Sequence, residues 1–480
     1  MIQVQTSIHD RFSVEFKINF ADKEQQHRLF KMNSWIFVPN SLNINASTYS
    51  KEQFYRDVKS NIRLKTPRFT LQQLADAEAT TVRYLSAALQ NYVAAPSAAC
   101  LQDLEFHIKM YVAIYKSALR DETKALQLVK ESAFNPEKWK AHLAAMRRVV
   151  RHYREIMRKN PENSSDSVSI FQYGDEYLSH LTELYAVRLM RTSANLSVNE
   201  IEEIRQDIRT LIAEEHQYKI DHEYAHFSVG NVEESRDMFR HQHILKKYIE
   251  SALYLKSDSQ PDGAAAQEIT LSFAAGFAML VSMLIALPFQ KYLGQYPELI
   301  FIILIVAYMF KDRIKEYARR RFAHRLKSRF FDLKNKVCFR GKEVVNIKEG
   351  MDFIDDKKTP EEVLQARSRS DLENRIPLEQ IILYRKQVEI DNESLGQRYE
   401  YRYDGINDIT RLHLQQFSWK MDDPEANVSM LDSDGEIQTT KIPRVYYLHV
   451  VLQCVAGDMI EYHCFRLMMT RDGIMECVEI

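Results

Sequence analysis

Ile269–Phe289 reads ITLSFAAGFAMLVSMLIALPF, an uncharged run of apolar and small residues. As a helix rising about 1.5 Å per residue it matches a bilayer hydrocarbon core of roughly 30 Å. Pro288 sits at its far end, where a turn is needed. A second apolar run, Leu299–Phe310 (LIFIILIVAYMF), follows a short polar loop. Pro297 and Glu298 form a helix start, Tyr292 and Tyr296 suit an interface, and Lys311 and Arg313 are placed to snorkel. The two runs predict a transmembrane helical hairpin over residues 269–310. Ser272, Gly276, Ala274, Ala275 and Ala278 give the first helix a small-residue face for close packing, first of all against the second.

Orientation follows from the flanking charge. The loop carries Lys291 alone, whereas residues 311–336 carry eleven Lys or Arg. The positive-inside rule therefore puts both large flanks in the cytosol. The expectation is an integral protein of a plasma or bacterial inner membrane, with both termini cytosolic. Read as a helix, residues 311–336 set Ile314, Ala318, Phe322, Leu326 and Phe330 four apart, with basic residues over the remaining surface. Arg319, Arg320, Arg321, Arg325, Lys327 and Arg329 are thus expected to face anionic lipid headgroups. With the bilayer as the nearest polyanion, no nucleic-acid partner is expected.

Outward from the hairpin the chain divides further. Residues 257–268 read as a flexible tether. Residues 71–256 carry apolar stripes at helical spacing, among them Leu104, Ile108, Tyr111 and Tyr115, then Trp139, Leu143, Met146, Val150 and Tyr153. These predict a cytosolic helical bundle or antiparallel coiled coil. Residues 1–70 predict a small β-containing unit, because Phe12, Val14, Phe16, Ile18 and Phe20 alternate with polar residues. Residues 337–480 predict an antiparallel β-rich domain, with strand-like runs separated by Ala456-Gly457-Asp458 and Arg471-Asp472-Gly473. The fold class expected is mixed: helical bundle, two-helix transmembrane hairpin and C-terminal antiparallel β-rich domain.

Composition narrows the function classes. Among 480 residues, 65 basic and 66 acidic side chains leave a net charge of −1, so no global field points to a polyanion. Five cysteines, none in C-x-x-C spacing, read as small buried residues of a reducing compartment. The N-terminus lacks the charged and apolar regions of a signal peptide. Twelve scattered glycines form no phosphate loop.

One stretch has a catalytic spacing: His222-Glu223-Tyr224-Ala225-His226 fits H-E-x-x-H. On a helix the two imidazoles share a face one turn apart, as zinc ligands must, and the glutamate is placed to activate a bound water. Glu215, seven residues earlier, projects to nearly the same face. These residues resemble the zinc-peptidase motif. The resemblance implies His222, His226 and Glu215 as metal ligands and Glu223 as catalytic base. No strand set for holding substrate is readable just upstream. A further arrangement pairs Glu223 and His226 with Glu176 and His180 as a metal site between bundle helices. The plainer reading is a polar helix face with no cofactor.

The function expected is therefore a membrane-anchored scaffold, sensor or effector with protein partners or self-association. The alternative is a membrane-associated, metal-dependent hydrolase, with zinc or another divalent ion.

Overall fold

The alternation in Ser13–Phe20 does what the spacing predicts: Val14, Phe16, Ile18 and Phe20 turn inward along one strand face. The computed structural model describes residues 2–20, 29–128, 134–160, 165–194, 196, 201–226, 232–292, 298, 301–302, 305–306, 308–317, 330–370, 378–391, 393, 395, 401, 405–431 and 435–480. In chain order the elements are β1 (Ile2–Asp10), β2 (Ser13–Phe20), β3 (Leu29–Pro39), α1 (Lys51–Asp57) and β4 (Val58–Leu64). The helices α2 (Leu71–Leu74), α3 (Thr80–Ala94), α4 (Ala98–Gln127), α5 (Pro136–Met157), α6 (Ser165–Ala194), α7 (Ile201–Asp221) and α8 (Val232–Glu250) follow. Then come β5 (Lys256–Pro261), α9 (Ala264–Tyr292), β6 (Leu333–Phe339), β7 (Lys342–Ile354) and α10 (Glu361–Arg367). The chain closes with β8 (Glu379–Ile390), β9 (Ile406–His413), β10 (Glu425–Leu431), β11 (Ile437–Pro443), β12 (Tyr446–Ala456), β13 (Met459–Thr470) and β14 (Gly473–Glu479).

Two compact units result. The first gathers residues 1–61, 256–398 and 407–480, so strands far apart in sequence share one core. Its large antiparallel sheet has the order β14-β13-β12-β3-β8-β7-β6-β5. Strand β3 is central because Trp35-Ile36-Phe37-Val38 is apolar on both faces, and all four are buried. It pairs with β8 through Phe37↔Ile381 and with β12 through Val451↔Trp35. Arg340 and Gly341 close β6 onto β7 at φ 47° and 81°, the left-handed pair that a two-residue hairpin turn demands.

Each face of this sheet has its own cover. On one, Trp35, Phe37, Ile381, Val451 and Cys464 pack with Val363 and Leu364 of α10. On the other lies the smaller sheet, β1-β2-β9-β4. There Phe16 meets Phe465 with ring centroids 5.7 Å apart. Between the sheets Lys386 of β8 is fully buried, with its ammonium 2.6 Å from Asp408 of β9 and 3.8 Å from Glu349 of β7. A desolvated charge is tolerable there only because it is paired.

The second unit spans residues 62–255 and 399–406. Helices α4 and α5 bury the stripes named above, including Ile108, Tyr115, Trp139 and Met146, and α7 buries Ile204 and Ile208. Gly174 of α6 takes a close approach from α5: a Cβ there falls 2.1 Å from the Tyr153 hydroxyl and 2.8 Å from Ile108 Cγ2. The Tyr153 hydroxyl donates to the Phe171 carbonyl at 2.9 Å.

The membrane expectations require correction. Among the described residues, no helix is long and apolar enough to cross a membrane. Residues 269–289 belong to α9. A crossing takes about 20 consecutive apolar residues, so this finding overturns the two-helix transmembrane hairpin. The integral-membrane placement and the topology inferred from it fall with the hairpin. What stands is helices with large antiparallel sheets. Of the small-residue face, Ala274 and Ala278 are buried, while the missing Cβ of Gly276 meets open space.

Two further segments differ from the sequence reading. Residues 257–261, read as part of a tether, pair as edge strand β5 with β6, from Lys256↔Cys338 to Pro261↔Leu333. Residues 29–39, assigned to a separate unit, lie inside the large sheet because β8 and β12 supply their hydrogen bonds. Arg319, Arg320, Arg321, Arg325, Lys327 and Arg329 lie outside the described residues.

Candidate functional site

The H-E-x-x-H residues occupy a turn. Helix α7 ends at Asp221, and Glu223 takes the left-handed conformation at φ 57°. The Tyr224 N–H donates to the Lys219 carbonyl at 2.8 Å and the Glu223 N–H to the Ile220 carbonyl at 3.1 Å. That is a Schellman cap, with glutamate where glycine is usual. His222 stacks on Tyr218, ring centroids 3.9 Å apart, and its Nδ1 donates to the Tyr218 carbonyl at 2.9 Å. His226 Nδ1 donates to the Tyr224 carbonyl at 3.1 Å. Nε2 of each ring stays open, but the helical one-turn spacing on which the zinc reading rested is not present.

Glu215 has other partners. It accepts from both terminal nitrogens of Arg154, at 3.2 and 2.8 Å, and from the Ser179 hydroxyl at 2.6 Å. Arg154 also donates to the fully buried Asp175 at 3.0 Å and lies over the Tyr218 ring at 3.4 Å. Burial opposes the Arg154 charge, and Asp175 and Glu215 outweigh it, so its pKa rises. Glu176 accepts from His241 Nε2 at 2.9 Å and from the Ala225 N–H at 3.3 Å. Burial, then Lys219, pushes His180 down to about 4. Among the described residues no group of three or more His, Cys, Asp or Glu is placed to hold a metal ion. These charges tie α5, α6, α7 and α8 together.

A concave feature lies in the β-rich unit, on the α10 side of the large sheet. It is a cleft of about 780 Å³ lined from Pro39, α10 and the residues after it, the start of β8, β12, β13 and Ile480. Its size falls within the range of small-molecule sites. Helix α10 ends at Ser368 in the left-handed conformation, φ 50°, and beyond that turn come Arg369 and Ser370. On the floor Glu379 accepts from Arg367 Nη2 at 2.8 Å through one oxygen and from Arg369 Nε at 3.0 Å through the other. Asp356 takes the other end of Arg369 in a two-point contact, 2.9 and 3.0 Å. Burial works against the Arg369 charge, and these carboxylates raise its pKa regardless.

Arg466 of β13 completes the wall. It stands directly across from His449 of β12, so both project on the cleft side of the sheet. Its guanidinium lies 5.6 Å from the centre of the Tyr447 ring. His449 is buried, with Nδ1 3.9 Å from Glu379. Arg466 is exposed, and among the described residues no carboxylate lies within ion-pair distance of it. The sequence matches no protein-family model, and no curated protein or solved structure is similar to it. The cleft stands on its own chemistry.

No residue of this cleft was singled out from the sequence. Its side chains come from six separated stretches, and nothing in the spacing of Arg367, Arg369 and Arg466 announces their meeting. The available signal was the Arg-Ser-Arg-Ser run at 367–370, basic and polar at the end of a short helix.

Proposed function

We propose that this protein is a non-catalytic binding protein, a sensor or effector, whose β-rich unit holds an anionic ligand in the cleft beside α10. The observation that carries this reading is Arg466, an exposed guanidinium with no carboxylate partner among the described residues, set over a floor where Glu379 fixes Arg367 and Arg369. Guanidinium groups offer paired N–H donors that fit carboxylate and phosphate oxygens. Glu379 and Asp356 hold Arg367 and Arg369 in fixed pairs and leave Arg466 to the ligand, which suits holding a charge rather than moving a proton. The reading requires no cofactor.

Thermal unfolding tests it. A ligand that binds only the folded chain stabilises it by RT ln(1 + [L]/Kd), about 2.7 kcal/mol at a hundredfold excess over Kd. The melting temperature of the full chain is expected to rise with at least one of acetate, benzoate, phosphate and phenyl phosphate. The rise is expected to vanish in Arg466→Glu. A wild-type chain unmoved by all four anions, or a variant moved equally, counts against the proposal.

A further inference from the structure

We infer that the anion this cleft takes is a monocarboxylate carried on an apolar or aromatic body. The inference rests on the anion-binding reading above and specifies its ligand.

The first argument is charge. Arg367 and Arg369 are matched by Glu379 and Asp356, two cations against two carboxylates. Among the described residues Arg466 has no carboxylate within ion-pair distance and remains as one positive charge to be matched. A carboxylate brings one negative charge and balances it. A phosphate monoester brings about −1.5 to −2 at pH 7 and leaves a surplus beside Glu379. Glu379 is only 9% exposed, so solvent screens that repulsion poorly.

The second argument is the lining. Pro39, Leu378, Val445 and Ile480 give the cleft apolar wall, and Tyr447 offers a ring face beside Arg466. A ligand that is all charge leaves that wall wet, whereas an apolar body covers it. The Arg466 fork then meets the carboxylate in plane through two parallel hydrogen bonds. The same chemistry has two sources: a free organic acid, or the C-terminal carboxylate of an apolar peptide.

Calorimetric titration of the full chain separates the outcomes, with phenylacetate, an N-acetylated apolar dipeptide, phenylacetamide and phenyl phosphate as probes. One of the two carboxylates is expected to bind one to one, the tighter marking the source. Phenylacetamide should bind about ten-fold more weakly, as should the carboxylate to Arg466→Gln, with part of the affinity recovered in Arg466→Lys. Arg466 is exposed, so these variants are expected to fold, and an unchanged melting temperature without ligand checks it. Phenyl phosphate binding more tightly than phenylacetate, and through Arg466, sinks the carboxylate assignment while leaving the anion cleft standing. No heat from any anion sinks both. Equal carboxylate binding by wild type and Arg466→Gln removes the ligand from this site.

Discussion

Glu223 occupies the one backbone conformation in its segment that an L side chain resists. The left-handed region costs a non-glycine residue roughly 1–2 kcal/mol. The α7 cap imposes it because Tyr224, the next residue, is buried and its hydroxyl donates to Asp175 at 3.2 Å. Glu223→Gly is therefore expected to stabilise the protein by about 1 kcal/mol, less what glycine adds to unfolded-chain entropy. Urea unfolding at constant slope reads the gain, and a loss would mean that the carboxylate does something the cap does not need. This residue also shows why the sequence misled. Nothing between Tyr218 and His226 is glycine or proline, so local propensity favours a continued helix and the H-E-x-x-H spacing looks chemical. The helix stops because of a long-range contact to α6, which a pentapeptide cannot reveal. Glu215 misled in the same way, its apparent ligand face being a helix–helix ion pair.

Among elements, the crossing of α5 and α6 at Gly174 is the tightest test of the bundle. A methyl group there meets the Tyr153 hydroxyl and Ile108 before either has room to move. Gly174→Ala is expected to destabilise by about 1–3 kcal/mol, as overpacking does, despite the better helix propensity of alanine. Combining it with Tyr153→Phe should recover part of the loss, since the nearest atom is then gone. Independent, additive effects in that double-mutant cycle would show that the two residues do not collide. The helices themselves were readable: Trp139, Leu143, Met146, Val150 and Tyr153 recur at helical steps, and all are buried. The strand runs on either side of Ala456-Gly457-Asp458 were readable for the matching reason of β-branched and aromatic content. Apolar content misled at α9, where hydropathy was taken as membrane length. The strand character of Lys256–Pro261 was hidden because edge pairing to β6 overrides a Ser, Asp and Gln composition.

For the whole molecule, the two-sheet core turns on Lys386. Its partners come from both layers, Glu349 on its own sheet and Asp408 on the facing one. Removing one partner of a buried pair leaves a charge that water cannot reach, and typically costs about 3–5 kcal/mol. Asp408→Asn is expected to lose stability in that range by chemical unfolding. The triple variant Lys386→Met, Asp408→Leu and Glu349→Gln, which leaves no charge of the cluster behind, should recover most of it. A loss of under about 1 kcal/mol in Asp408→Asn would mean that the pair is wetter than its burial indicates. Sequence reading had no access to this core. It sorted residues 1–70 and 337–480 into separate units, whereas the sheet order interleaves them.

That interleaving sets a timetable for synthesis. Strand β3 leaves the ribosome early, yet its neighbours β8 and β12 are made several hundred residues later. At translation rates of about 5–20 residues per second, Trp35–Val38 waits some tens of seconds with both backbone edges unpaired. Helices α2 to α8 of the helical unit are made well before that wait ends, while its last stretch, residues 399–406, follows β8. An apolar strand open on two sides is a template for pairing with other nascent chains. Residues 29–39 are thus where a chaperone has most to shield, and slowing elongation downstream of Leu255 lengthens the exposure of this strand after helices α2 to α8 have already been made.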